Sequence, residues 1–192
     1  GRQAQPSPAD VEATLQKAAR QLGDRAESAE VAFFGGSFTA IDRGYMTALL
    51  ETAARACDRY GFAGVRCSTR PDAVDGERLD LLKAHRVTAV ELGAQSMDDG
   101  VLQLNRRGHA ARDVENAAGL IRAYGFELGL QMMTGLPGDT DETAVETARA
   151  LLRLRPDTMR IYPTIVLENT ALCDWYRAGH YAPQTLDAEP AF

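Results

Sequence analysis

A chain of 192 residues with 45% hydrophobic content can bury a substantial core and reads most simply as one domain over residues 1–192. A net charge of −6 gives no basic nucleic-acid footprint over the whole chain, although Arg106, Arg107 and His109 form a small local cluster. No apolar run approaches the ~18 residues of a spanning helix, "GRQAQPSPAD" lacks a signal-peptide core, and Cys57, Cys67 and Cys173 are too widely spaced for a disulfide framework or a zinc site, so a soluble, cytoplasmic chain with reduced thiols is expected.

In chain order, Ser7 with Pro8 at the next position opens a first helix. The run from Val31 to Phe34 then reads as a buried strand and ends in Gly35-Gly36-Ser37-Phe38-Thr39, a turn where backbone can approach a ligand closely because no Cβ intervenes. A helical stripe follows: Met46, Leu49, Leu50, Ala53, Cys57 and Tyr60. Cys57 is thereby assigned to core packing. The second strand, Gly64 to Ser68, runs into Ser68-Thr69-Arg70-Pro71-Asp72, and the third, Val87 to Leu92, into a segment from Glu91 to Ser96. Val114, Ala117, Ala118 and Ile121 form another helical stripe before a fourth strand, Phe126 to Met133. Gln131 to Gly138 follows at that strand's end, and Asp139 with Glu142 predicts the capping box of the fifth helix. A last strand runs from Thr158 to Tyr162 and meets Pro163.

Strands alternating with helices indicate a parallel α/β sheet. The distinctive residues gather at the C-terminal ends of the strands, the rim where parallel α/β barrels place their active sites. Within the third strand Glu91 shares a face with Val87 and Ala89, so its carboxylate points inward and needs a ligand or a partner. Two readings stand open: a ligand-binding group, or a structural ion pair with Arg160, the one charge inside the last strand. Gln131 raises the same question with a neutral amide.

The blocks "FFGGSFT", "STRPD", "VELGAQSMDDGVLQLNRRGH", "QMMTGLPGDT" and "RIYPTIVLENTAL", in this order and at these distances, resemble the radical S-adenosylmethionine domain of the Elongator catalytic subunit and its short bacterial relatives. Oxygen-independent coproporphyrinogen oxidases share a looser version. The resemblance covers nearly the whole chain and implies a partial (β/α)6 TIM-like barrel of parallel strands with outer helices. It also implies two cofactors, S-adenosylmethionine and a [4Fe–4S] cluster, and a reduced electron donor such as flavodoxin or ferredoxin. The implied reaction is cleavage to a 5′-deoxyadenosyl radical that abstracts hydrogen, with a tRNA wobble uridine as the favoured substrate and no membrane partner. A tetrapyrrole substrate is the alternative.

The resemblance carries over residue by residue. Gly35 and Gly36 match the glycine pair that receives the methionine amino group, with Ser37 and Thr39 adding hydroxyls. An ammonium suits carbonyl and hydroxyl oxygens, whereas a phosphate loop would want a lysine where Phe38 stands. Arg107 matches the arginine that holds the methionine carboxylate. Gln95 and Gln131 match positions facing the ribose hydroxyls, and the segment from Gly135 and Leu136 to Gly138 matches the one beside adenine. Ser68 and Glu91 complete the expected cofactor-binding set.

The sequence departs from the family in its cysteines. The close-spaced triad that ligates three irons of the cluster is absent, and no metal ligand is expected in this chain. In the family that loop follows a first strand and lies just before the position of Gly1, so the sequence reads as a piece of a longer protein, inactive by itself. Ser68 stands where relatives carry an acidic residue, and Gln131 where they carry His or Asp. Two other function classes remain consistent with the sequence: a non-catalytic module that binds an adenosyl ligand, and a barrel enzyme using Gly35-Gly36 for phosphate and Glu91 as a base.

Overall fold

In a computed structural model, residues 5–184 are described. Residues 1–4 and 185–192 of the expected domain lie outside that range. Five strands, β1 (Glu30–Phe33), β2 (Gly64–Thr69), β3 (Val87–Gln95), β4 (Glu127–Thr134) and β5 (Thr158–Pro163), form one sheet in sequence order. Every neighbouring pair is parallel. The sheet curls into a half-barrel, the partial TIM-like architecture expected from the sequence. β1 pairs only with β2 among the described residues, which leaves it at the edge of the sheet.

Among the described residues seven α-helices accompany the strands: α1 (Pro8–Leu22), α2 (Arg43–Tyr60), α3 (Gly76–Ala84), α4 (Asp99–Leu104), α5 (Ala111–Ala123), α6 (Asp141–Arg153) and α7 (Ala171–Arg177). Alternation along each strand sends Val65, Cys67, Val90, Leu92, Leu128 and Leu130 into one apolar cluster with Leu49, Leu50, Leu79, Leu82, Ile121 and Leu151 of the helices. Fully burying each Leu or Ile side chain contributes about 1.5–3 kcal/mol, so this layer is the main source of stability. The other sheet face is polar, carrying Arg66, Glu91, Gln131 and Arg160 joined by hydrogen bonds. Gly129 makes room for that network, since a Cβ there would stand 2.5 Å from Cγ of Glu91.

Both helical stripes read from the sequence face the core. Met46, Leu49, Leu50, Ala53 and Cys57 of α2 are buried, and the Tyr60 hydroxyl donates to Glu12 of α1 at 3.1 Å. Val114, Ala117, Ala118 and Ile121 of α5 are buried as well. Ser7 caps α1 through a reciprocal box with Asp10, with Pro8 in the first turn.

Three local expectations are corrected. The cap of α6 is Thr140, whose hydroxyl accepts from the amide of Thr143 at 3.2 Å, whereas Asp139 turns back and accepts from the amide of Gly135 at 3.1 Å. The short helix α4 intervenes, so this is the sixth helix and not the fifth. β3 continues past Leu92 to Gln95 through a register shift between Gly93 and Gln95.

Cys57, Cys67 and Cys173 are free and buried. Burial, reinforced by the nearby Glu91 carboxylate, pushes the Cys67 thiol up to about 12. Among the described residues no helix is long and apolar enough to cross a membrane.

Candidate functional site

At the C-terminal ends of the strands lies a cavity of about 520 Å³, within the size range of small-molecule sites. Its walls come from Phe34, Gly35, Gly36 and Ser37 after β1, and Ser68, Thr69 and Arg70 at β2. Gly93 and Gln95 of β3, Arg107 beyond α4, Gln131 of β4, and Arg160 and Tyr162 of β5 complete it. A larger groove, about 710 Å³, runs between α1 and α2 on the outer surface, lined by Glu12, Arg55, Asp58 and Arg59. It is remote from the strand ends and lacks the mixture of open backbone and unengaged polar groups described next.

The glycine turn is open towards the cavity. Gly35 has a φ of +98°, a left-handed conformation that suits glycine, and a Cβ added at Gly35 or Gly36 would meet nothing within 4 Å. The Ser68 hydroxyl reaches the Gly36 carbonyl only at a long 3.4 Å. Thr39, expected to add a hydroxyl to this cradle, does something else. It is 1% exposed, its Oγ1 lies 2.6 Å from Oγ1 of Thr69 and donates to the Ala73 carbonyl at 2.5 Å. It fastens the loop after β1 to the loop after β2.

Three arginines reach the cavity in different states. Arg70 pairs with Asp72 at 2.9 Å. Arg160 donates to Glu91 at 3.0 Å and lies 5.1 Å above the Phe34 ring. The Arg107 guanidinium has no ion pair or hydrogen bond among the described residues. Arg107 is exposed as a residue, yet partial burial lowers its pKa, and a guanidinium stays cationic regardless. It is therefore the cavity's free cation and a natural seat for a carboxylate.

Glu91 is the ion pair that the sequence left as one of two readings. Its carboxylate accepts from Arg66 Nη1 and Arg160 Nη2, both at 3.0 Å, and from Gln131 Nε2 at 2.8 Å, and the residue is 1% exposed. With both oxygens engaged and buried it neither lines the cavity nor can serve there as a base, which corrects its expected ligand role. The amide of Gln131 consequently offers the cavity its carbonyl oxygen. Gln95, at 9% exposure and φ +67°, is held on the rim at the end of β3.

Gly135 and Leu136 also lie outside the cavity lining. Gly135 accepts from the Tyr181 hydroxyl at 2.8 Å and Leu136 is buried. His109 is no surface base: it is buried, with Nε2 3.1 Å from the Ala94 carbonyl. Of the expected set, Gly35, Gly36, Ser37, Ser68, Gln95, Arg107 and Gln131 converge on one cavity. The expected binding set left out Phe34 and also Tyr162, which the sequence placed only at the rim of the fifth strand; both line the cavity and are 45% and 42% exposed. Aromatic residues at strand ends were the available signal. Among the described residues no group of three His, Cys, Asp or Glu side chains is placed to hold a metal ion.

Comparison with known proteins bears on the family and the fold. Residues 3–151 match the Radical SAM superfamily. The chain is 30% identical over 189 residues to a tRNA uridine(34) acetyltransferase of Dehalococcoides mccartyi (strain CBDB1), covering 85% of this chain and 40% of that protein. Its fold superposes on the archaeal Methanocaldococcus infernus Elp3 with a TM-score of 0.79 at 24% identity, over 93% of this chain and 46% of that one. The coproporphyrinogen III oxidase HemN of Escherichia coli, itself a radical SAM enzyme, shares the fold with a TM-score of 0.59 at 19% identity, over 86% of this chain and 39% of its own. The chain thus spans about 40% of the length of the curated relative it matches. On this match and this fold, the chain belongs to the Radical SAM superfamily, whose members bind S-adenosylmethionine and a [4Fe–4S] cluster.

Proposed function

We propose that the cavity at the strand ends binds S-adenosylmethionine, and that the chain is the radical-generating domain of an enzyme acting on a tRNA wobble uridine. The observation that carries the reading is that the Arg107 guanidinium, unpaired among the described residues, lines the same cavity as an open glycine turn. Those two features fit the two charged ends of a methionine moiety: Arg107 takes the carboxylate, and the carbonyls of Gly35 and Gly36 with the Ser37 hydroxyl take the ammonium. Gln131 Oε1 and Gln95 face the ribose hydroxyls. Gly135 and Leu136 retain only an indirect role, on a loop tied down by Tyr181.

When bound, S-adenosylmethionine supplies a 5′-deoxyadenosyl radical for hydrogen abstraction. The residues of this chain bind and orient it and keep water and stray reactants away, which is the protein's share of such chemistry. A [4Fe–4S] cluster does not fit the described residues, because no three ligating side chains gather. We assign its ligands and the electron-donor contact to protein outside them. The tRNA substrate rests on the name of the Dehalococcoides relative and on the exposed aromatics Phe34 and Tyr162, whose faces suit a base.

Calorimetric titration of the chain with S-adenosylmethionine and with 5′-methylthioadenosine, which lacks the amino-acid end, tests the reading. The truncated ligand is expected to bind at least about tenfold more weakly, since even ~1.4 kcal/mol from the charged end amounts to that factor. Equal affinities would remove Arg107 and the glycine turn from the site.

A further inference from the structure

We infer that His109 is a positioning residue that bolts the turn carrying Arg107 to the strand end carrying Gln95. The inference rests on the cavity reading above for its consequence, although not for its geometry. His109 Nε2 lies 3.1 Å from the Ala94 carbonyl. A carbonyl only accepts, so Nε2 carries the proton, and in the neutral ring Nδ1 is then an acceptor. That Nδ1 is buried and has no partner among the described residues. An orphaned buried acceptor lowers stability, and an apolar side chain of similar volume would fill the space without that penalty. What the imidazole adds over such a side chain is one donor aimed at Ala94.

The target of that donor matters. Ala94 sits at the register shift ending β3, and its carbonyl accepts from the Ser96 amide at 2.8 Å as well as from His109, so both lone pairs are used. Gln95, the next residue, is held at φ +67° with its side chain on the cavity wall. On the other side of the bond, His109 ends a tight turn in which Arg106 has φ +50° and Gly108 φ +78°, with Arg107 between them. The Arg107 amide donates to the Leu102 carbonyl at 3.0 Å, which anchors the start of the turn to α4. Nothing among the described residues holds the Arg107 guanidinium itself. Its place is set by its backbone, and the backbone is pinned by Leu102 on one side and by His109 on the other. Asp99, accepting from the Ala111 amide at 2.8 Å, and Asn105, donating to the Pro137 carbonyl at 2.9 Å, hold the flanks of the turn, and the His109 bond is the one that ties it to the strand end carrying Gln95.

His109→Leu and His109→Gln separate this role from packing. Leucine fills the volume without a donor, while the glutamine amide nitrogen can take the place of Nε2 and donate to Ala94. Affinity for S-adenosylmethionine by titration, amide hydrogen exchange at Arg107, and thermal melting are read for both. His109→Leu is expected to bind about tenfold more weakly, the size of one lost hydrogen bond. It should also exchange faster at the Arg107 amide and melt no lower than the parent chain. His109→Gln should restore both affinity and protection. Unchanged affinity and exchange in His109→Leu, or equal losses in both variants with a lowered melting temperature, would overturn the inference. If the parent chain binds no S-adenosylmethionine, the proposed function fails by itself, and the exchange data still decide for or against His109.

Discussion

Nε2 of Gln131 stands 2.8 Å from Oε2 of Glu91, and this contact decides which end of the Gln131 amide the cavity sees. Oε1 of Glu91 is shared by Arg66 and Arg160, each at 3.0 Å, so one buried carboxylate orients an amide and two guanidiniums. Removing it leaves Arg66, with its side chain only 16% exposed, to Glu30 at 2.7 Å and Glu127 at 3.8 Å, and leaves Arg160 and Gln131 without the carboxylate that orients them. Glu91→Ala is expected to destabilise the chain by about 3 kcal/mol, at the low end for a broken buried pair because Arg66 keeps Glu30 and Arg160, 42% exposed, can turn to water. Urea unfolding reads the change, and a loss below about 1 kcal/mol would place the pair with ordinary surface bridges.

Glu91 also shows how far the sequence could be read. Alternation along β3 put its carboxylate on the inner face, and a buried carboxylate demands partners, so the question was legible before the answer. Arg160 was legible as the one charge inside β5. Arg66 was not, because a strand residue's cross-strand neighbours depend on register, and β2 pairs with β3 through a shift between Val65 and Arg66. Thr39 illustrates the opposite error. Its position after the glycine turn matched a family pattern, but the loop turns it away from the cavity and onto Thr69 and Ala73. The strands and two helical stripes needed only local periodicity, whereas the α6 cap turned on Asp139 accepting from the Gly135 amide and the Thr143 hydroxyl, which leaves the Thr143 amide to Thr140.

Gly36→Ala separates folding from binding. A Cβ there meets nothing within 4 Å, and Gly36 does not have a positive φ, so the melting temperature should stay within about a degree or two, as for an ordinary surface change. The methyl group would nevertheless occupy space meant for close backbone approach to the ligand. Titration should show S-adenosylmethionine affinity falling several-fold. A variant that binds as well as the parent would show that the ligand does not approach that turn.

Cys67 predicts a signature at alkaline pH. Its folded value, raised from 9.0 to about 12, means that the unfolded chain loses this proton first as pH rises. The contribution to stability is intact below about pH 9 and is lost progressively towards pH 12. Cys67→Val removes the group, so its unfolding free energy should decline less steeply with pH across that window. Parallel declines in the two proteins would mean that other groups govern alkaline unfolding.

Reconstitution with iron and sulfide under nitrogen tests the account of the cluster. With its three cysteines buried and no ligating trio among the described residues, the chain should show no stoichiometric iron and no charge-transfer absorbance. Four irons per chain with a cluster spectrum would contradict that account. Three close-spaced cysteines encoded ahead of Gly1 would identify the ligands directly.

The cavity as an S-adenosylmethionine site stands or falls most directly on Arg107 compared with Arg106. Arg106 is its neighbour in sequence, carries the same charge, is exposed, and lies outside the cavity lining. Calorimetric titration of Arg107→Ala and Arg106→Ala with S-adenosylmethionine, alongside thermal melts, is the deciding measurement. Loss of a partly desolvated charge-assisted contact costs about 2–5 kcal/mol, so Arg107→Ala should bind roughly 30-fold or more weakly with its melting temperature nearly unchanged. Arg106→Ala should bind as the parent does. Equal losses in the two variants would reduce Arg107 to a general electrostatic effect, and an Arg107→Ala variant with full affinity would contradict the assignment of the cavity.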